Sequence, residues 1–153
     1  MNITLRRDVD APQDAVFAAL SNFERWESQA RASGVSLSRL DPDAGLGTAW
    51  RVVADFKGLR RRFVARIVAC HAPDRLDLAL EGDGMSALIP ARIVPRGAGT
   101  STLLAEIDMR PETLKARLMV QSLRFARGAL IQRLDRALAQ FATTVEARHP
   151  ARG

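Results

Sequence analysis

The 153-residue chain is 47% apolar and 26% charged with a formal net charge of +6, a balance that fits one folded domain. It has no apolar run of about 18 residues, which excludes a membrane-spanning helix. Its lone cysteine, Cys70, excludes an internal disulfide framework. The charged start MNITLRRDVD leaves no room for the apolar core of an export signal, so the expected location is the cytoplasm.

Ile3, Leu5 and Val9 alternate with Thr4, Arg6, Asp8 and Asp10. This predicts a half-buried strand whose dry face is interrupted by Arg7. Asp10-Ala11-Pro12-Gln13 predicts a helix start, with Asp10 as the cap, Pro12 in the first turn and Gln13 reaching back. Val16, Phe17 and Leu20 share a face of that helix. Ser21-Asn22-Phe23-Glu24 repeats the start signal, and Phe23, Trp26 and Ala30 continue at helical spacing to a stop at Gly34. Two short helices therefore follow the first strand.

From Val35 the period changes to two. Val35-Ser36-Leu37-Ser38 predicts a strand, and Asp41 to Gly47 a loop. Trp50, Val52, Ala54 and Phe56 share one face of the next run. Phe63, Ala65, Ile67 and Ala69 follow after a turn at Lys57-Gly58-Leu59-Arg60. The next runs carry Leu76, Leu78 and Leu80, then Met85, Ala87, Ile89, Ala91 and Ile93, then Leu103, Ala105, Ile107 and Met109. Charged residues, among them Asp55, Asp77, Glu106 and Asp108, occupy the opposite positions. The pattern predicts an antiparallel meander with one dry and one wet face. Pro90 predicts an edge or a bulge.

After Pro111 the helical period returns. Leu114, Leu118 and Phe125 lie on one side. Met119, Leu123, Leu130, Leu134, Leu138, Phe141 and Val145 lie on another. A helix from 111 to 147 would be about 55 Å long. Its apolar stripe changes phase near Gly128, which predicts a bend. Residues 149–153 read as a frayed tail, so the expected domain is 1–148. The basic surplus falls in this last segment, where eight Lys and Arg residues from Pro111 to Gly153 face three acids.

The expected architecture is α+β, with a curved antiparallel sheet of about seven strands gripping a long C-terminal helix. The segment from Val9-Asp10-Ala11-Pro12 through Val16-Phe17 to Leu20-Ser21-Asn22-Phe23-Glu24-Arg25-Trp26 resembles the opening of the START-like (SRPBCC) superfamily, which includes polyketide cyclase/dehydratase-like and lipid-transport proteins. The resemblance is specific over residues 9–26 and extends along the chain through element order. It implies the helix-grip fold and a deep apolar pocket between sheet and long helix. It implies no shared catalytic motif.

Such a pocket would be lined by Trp50, Phe56, Phe63, Ile67, Leu78, Met85, Ile89, Ile107 and Met109 of the sheet, and by Leu114, Leu118 and Ser122 of the helix. Trp26 would stand at its entrance. Arg7 is the candidate cationic handle for an acidic or carbonyl group. Catalytic groups are scarce. Tyrosine is absent, and the two histidines are His71, beside a proline turn, and His149, in the tail. Cys70 and His71 would point to opposite faces of a strand. Two histidines and one cysteine make no usual zinc set, so neither metal nor cofactor is expected. The leading reading is binding or transport of a small hydrophobic ligand, lipid, quinone or polyketide-like, without catalysis. One alternative is a cyclase/dehydratase-like enzyme that orients its substrate. Another is an interaction module in which Arg60, Arg61 and Arg62 meet an anionic partner or membrane surface. No aromatic lies among those arginines to stack on bases, which argues against nucleic acid. Nothing in the sequence defines an oligomeric state.

Overall fold

The computed structural model describes residues 1–40, 47–56 and 59–148, without the side chains of Phe56 and Leu59. The loop expected at 41–46, the Lys57-Gly58 turn, Phe56 as a wall residue and the tail at 149–153 lie outside the described residues. The elements are β1 (Asn2–Val9), α1 (Gln13–Leu20), α2 (Phe23–Ala32), β2 (Ser36–Arg39), β3 (Ala49–Phe56), β4 (Leu59–His71), β5 (Arg75–Gly82), β6 (Met85–Pro95), β7 (Ser101–Pro111), α3 (Leu114–Phe125) and α4 (Arg127–Arg148). The strands form one curved antiparallel sheet in the order β1-β7-β6-β5-β4-β3-β2. With the C-terminal helical segment this is the helix-grip arrangement that the sequence predicts.

Alternation holds along most of the sheet because one face is dry. Register pairs Val52 with Phe63, Ala65 with Leu80, Ile67 with Leu78, and Leu78 with Ile89, so apolar side chains meet across strands. A bulge between Ile67 and Ala69 shifts the β4–β5 register. It leaves Val68 44% exposed and packs Cys70 against the main core cluster, while Ala69 is buried beside it. It also sets Ala69 opposite Asp77, which is only 3% exposed. Asp77 is therefore not the surface charge that its position suggests. It is buried and pairs with the Arg75 guanidinium at 2.7 Å. Pro90 lies in β6, which has neighbours on both sides, and not at an edge. The β6–β7 ladder is interrupted there, between Leu88↔Asp108 and Ala91↔Ala105, and resumes in the same register. Proline has no N–H to give to a ladder.

Helix ends depart from the sequence reading in two places. At α1 the residue before the helix is Pro12, without a side-chain cap. Asp10 instead donates its backbone N–H to Glu146 at 2.9 Å, and Gln13 reaches the Ile93 carbonyl at 2.7 Å. Both residues therefore tie α1 to the rest of the fold. At α2 a cap is present one residue after Ser21, where Asn22 accepts from the Arg25 N–H at 3.3 Å. The C-terminal helix starts three residues late, because β7 continues through Pro111 and Thr113 takes the cap, accepting from the Ala116 N–H at 3.1 Å. It is also split. α3 ends at Phe125, and α4 restarts at Arg127, so the break at Ala126 falls two residues before the phase change predicted near Gly128.

The main core lies where α1 and α4 meet β1, β6 and β7. Val9, Val16, Ile93, Leu103 and Val145 are at most 2% exposed there, each contributing roughly 1.5–3 kcal/mol of burial. Ser101, fully buried, donates to the Ala11 carbonyl at 2.7 Å and joins β7 to the chain entering α1. α4 packs against β1, whereas α3 packs mainly on β7. The middle of the dry face is thus left to α2.

Candidate functional site

Where α2 faces β3, β4, β5 and β6, the side chains do not fill the space. A cavity of about 420 Å³ remains, with an opening to the outside. Its floor is the cross-strand set Trp50, Val52, Phe63, Ala65, Ile67, Leu76, Leu78, Leu80, Ile89 and Ala91. Leu20, Phe23, Trp26, Glu27 and Ala30 form its roof, and Val35 and Leu37 close one side. Two alanines, Ala65 and Ala91, stand among large neighbours on the floor, and their short side chains leave part of the hollow. The wall is almost wholly apolar.

Among the described residues of this wall Glu27 is the one that ionises, and it is already engaged. It follows Phe23 by four residues, so the helix turns both to the same side. Arg39 of β2 donates to Oε1 at 2.6 Å and to Oε2 at 3.3 Å, and the Trp50 indole N–H donates to Oε2 at 3.1 Å. Burial works to raise the Glu27 pKa. The hydrogen bonds from Arg39 and Trp50 and the charges of Arg39 and Arg31 outweigh it and hold the carboxyl below its ordinary range. Phe23 meets the Trp50 ring edge-on, with centroids 5.4 Å apart. The network clamps α2 to β2 and β3 and sets the height of the roof.

Trp26 sits at the rim. It is 39% exposed, donates its indole N–H to the Leu20 carbonyl at 2.9 Å, and stacks on Phe141 of α4 with centroids 5.7 Å apart. It also borders a second cleft, between α2 and α4.

Six of the residues expected to line the pocket do so: Trp26, Trp50, Phe63, Ile67, Leu78 and Ile89. Met85, Ile107 and Met109 are half-buried in β6 and β7, away from the cavity wall. Leu114, Leu118 and Ser122 are exposed, because α3 turns Ala116 and Val120 inward. Arg7 lies beneath α4, donating to the Asp135 carbonyl at 3.2 Å, and is not part of the cavity. The departure from alternation that drew attention to Arg7 serves packing between β1 and α4. Glu27 was not expected, although its spacing from Phe23 puts a carboxylate on an apolar helix face. Val52 and Leu80 also belong to the wall, and the period of two places both on the dry face.

The chain matches the family described as polyketide cyclase/dehydrase and lipid transport over residues 1–146, and it belongs to that family. A search of curated proteins finds no match. Among solved structures it is similar to an aromatase/cyclase from Streptomyces, at 15% identity over 100% of this chain and 98% of the other, with a TM-score of 0.72. It is also similar to norcoclaurine synthase from Thalictrum flavum, at 12% identity over 99% and 95% of the two chains, with a TM-score of 0.70. A START superfamily protein from Mycobacterium smegmatis aligns at 16% identity over 89% and 98%, with a TM-score of 0.58. At these identities the structural likeness concerns the fold.

Proposed function

We propose that this member of the polyketide cyclase/dehydrase and lipid-transport family binds and carries a small hydrophobic molecule in the cavity between α2 and the sheet. The observation that carries the reading is an almost entirely apolar hollow of about 420 Å³, within the range of roughly 300–1,000 Å³ usual for small-molecule sites. Affinity would come from ligand surface leaving water, at about 25 cal/mol per Å². The ligand class that suits such a wall is an acyl chain, a quinone or a polyketide-like ring system. Its polar group, where it has one, would lie toward the rim at Trp26.

Catalysis fits the same cavity less well. Ring closure or dehydration calls for a group that moves a proton or polarises a carbonyl within hydrogen-bond reach. Among the described lining residues Glu27 alone ionises, and its oxygens already accept from Arg39 and Trp50.

Native mass spectrometry of freshly purified protein, compared with a denatured sample, looks for a co-purified apolar molecule. Titration with the neutral fluorophore N-phenylnaphthylamine measures access to the interior. A variant carrying Ala65→Leu and Ala91→Leu adds three carbons to the floor at each step and narrows the cavity from below. If this removes about 100 Å² of ligand burial, affinity falls by about 2.5 kcal/mol, between one and two orders of magnitude. The reading fails if the parent neither carries a ligand nor binds the fluorophore, or if the filled variant binds it as well as the parent does.

A further inference from the structure

α3 carries an apolar stripe that the fold leaves uncovered. Leu114 is 74% exposed, Leu118 57% and Phe125 95%. At 3.6 residues per turn the three side chains fall within an arc of about 40°. Ala116 and Val120, on the other side of the helix, are the buried pair. Lys115, Arg117 and Arg124 flank the stripe and are exposed, and the helix sequence LKARLMVQSLRF contains no acid.

The basic start of β4 adjoins this helix. Arg61 shares a shallow depression with Thr113, Lys115, Ala116 and Met119. Arg60 and Arg62, on either side of it, are exposed. The acids at this corner are Asp55, 3.7 Å from Arg60, Asp83, which accepts the Arg62 backbone N–H at 3.2 Å, and Glu112. The cations outnumber them. Phe63 of the cavity floor follows Arg62 directly.

We propose that α3 and the start of β4 form a docking surface for an anionic phospholipid bilayer. Leu114, Leu118 and Phe125 enter the boundary between headgroups and acyl chains, while Arg60, Arg62, Arg117 and Arg124 meet the lipid phosphates. Leucine and phenylalanine on one face with arginine and lysine at its margins is the pattern of a helix that lies in a membrane interface, and anionic headgroups supply the complementary charge. A second copy of the chain fits less well. Two stripes packed on each other would bring Lys115, Arg117 and Arg124 of one copy against the same cations of the other. The inference does not depend on what occupies the cavity, although it puts a bilayer near Phe63.

The test is co-sedimentation of the intact protein with phosphatidylcholine vesicles, with and without phosphatidylglycerol. The parent should sediment with the anionic vesicles, stay in solution with the neutral ones, and be released by high salt. Leu118→Ser with Phe125→Ser should lower partitioning about tenfold or more without lowering the melting temperature, since both side chains are exposed. Arg60→Ser with Arg62→Ser should weaken binding and flatten its salt dependence, and it tests the surface independently should the first variant fold poorly. The proposal is overturned if the parent ignores anionic vesicles, or if either folded variant sediments as the parent does. It is also overturned if light scattering finds a stable dimer that the Leu118→Ser, Phe125→Ser variant dissolves.

Discussion

Replacing Glu27 tests whether the roof of the cavity is held by charge. Glu27 and Arg39 are 10% and 21% exposed at their side chains, with a contact of 2.6 Å. Leaving one member of a fully buried pair unmatched costs about 3–5 kcal/mol. The residual exposure of Arg39 brings the expected loss for Glu27→Ala to roughly 2–3 kcal/mol, which includes the lost acceptor of the Trp50 indole. Glu27→Gln keeps a carbonyl oxygen for Trp50 and removes the charge opposite Arg39, so its loss should be about 1–2 kcal/mol. Urea unfolding followed by tryptophan fluorescence measures both, since Trp50 reports directly on the network. The folded carboxyl titrates below the ordinary glutamate value of 4.5, so the folded state binds fewer protons than the unfolded chain. The stabilisation is therefore complete above about pH 4.5 and disappears as pH falls through the folded value. The gap between parent and Glu27→Gln should close over that acid range. Equal stabilities at neutral pH, or a gap that persists unchanged into acid, would refute a charge-held roof.

Gly82→Ala should destabilise by about 1–3 kcal/mol, because the added methyl would run into the Arg62 carbonyl oxygen and lie 2.7 Å from the Phe63 Cα. These are backbone atoms of β4 and cannot swing aside, so an unchanged melting temperature would show that the β5 end is looser than the register implies. Ser101→Ala removes a buried 2.7 Å donor to Ala11 and should cost about 1–2 kcal/mol by denaturant titration. Parent-like stability there would mean that the Ala11 carbonyl finds another partner.

The strands were legible because their signal is repeated. Five runs carry an apolar residue at every second position, and a slip of one residue would turn every one of those side chains into water. The bulge after Ile67 escapes that logic. It inserts one residue without altering composition, so Cys70 and Asp77 read as if alternation continued. The late start of α3 has a similar cause. Arg110-Pro111-Glu112 has the residues of a helix start, but Met85 pairs with Pro111 and keeps it in the sheet. Local helix preference is worth a few tenths of a kcal/mol per residue, which a paired strand end easily overrides.

The cavity was harder to read than the fold because periodicity reports which side chains leave water, not whether they meet. Leu114 and Leu118 have the spacing of wall residues, yet Ala116 and Val120 occupy the inner face of α3. The C-terminal segment carries more apolar faces than one straight helix can bury. The chain resolves this by breaking at Ala126, so that α4 keeps Ala142 and Val145 on the core. The stripe on α3 is what remains, with arginine and lysine at its margins. The proposed ligand site and the proposed docking helix share a physical logic. A molecule that would leave water for the cavity concentrates in a bilayer for the same reason, so the proposed docking surface would bring the cavity to where such a molecule is most abundant.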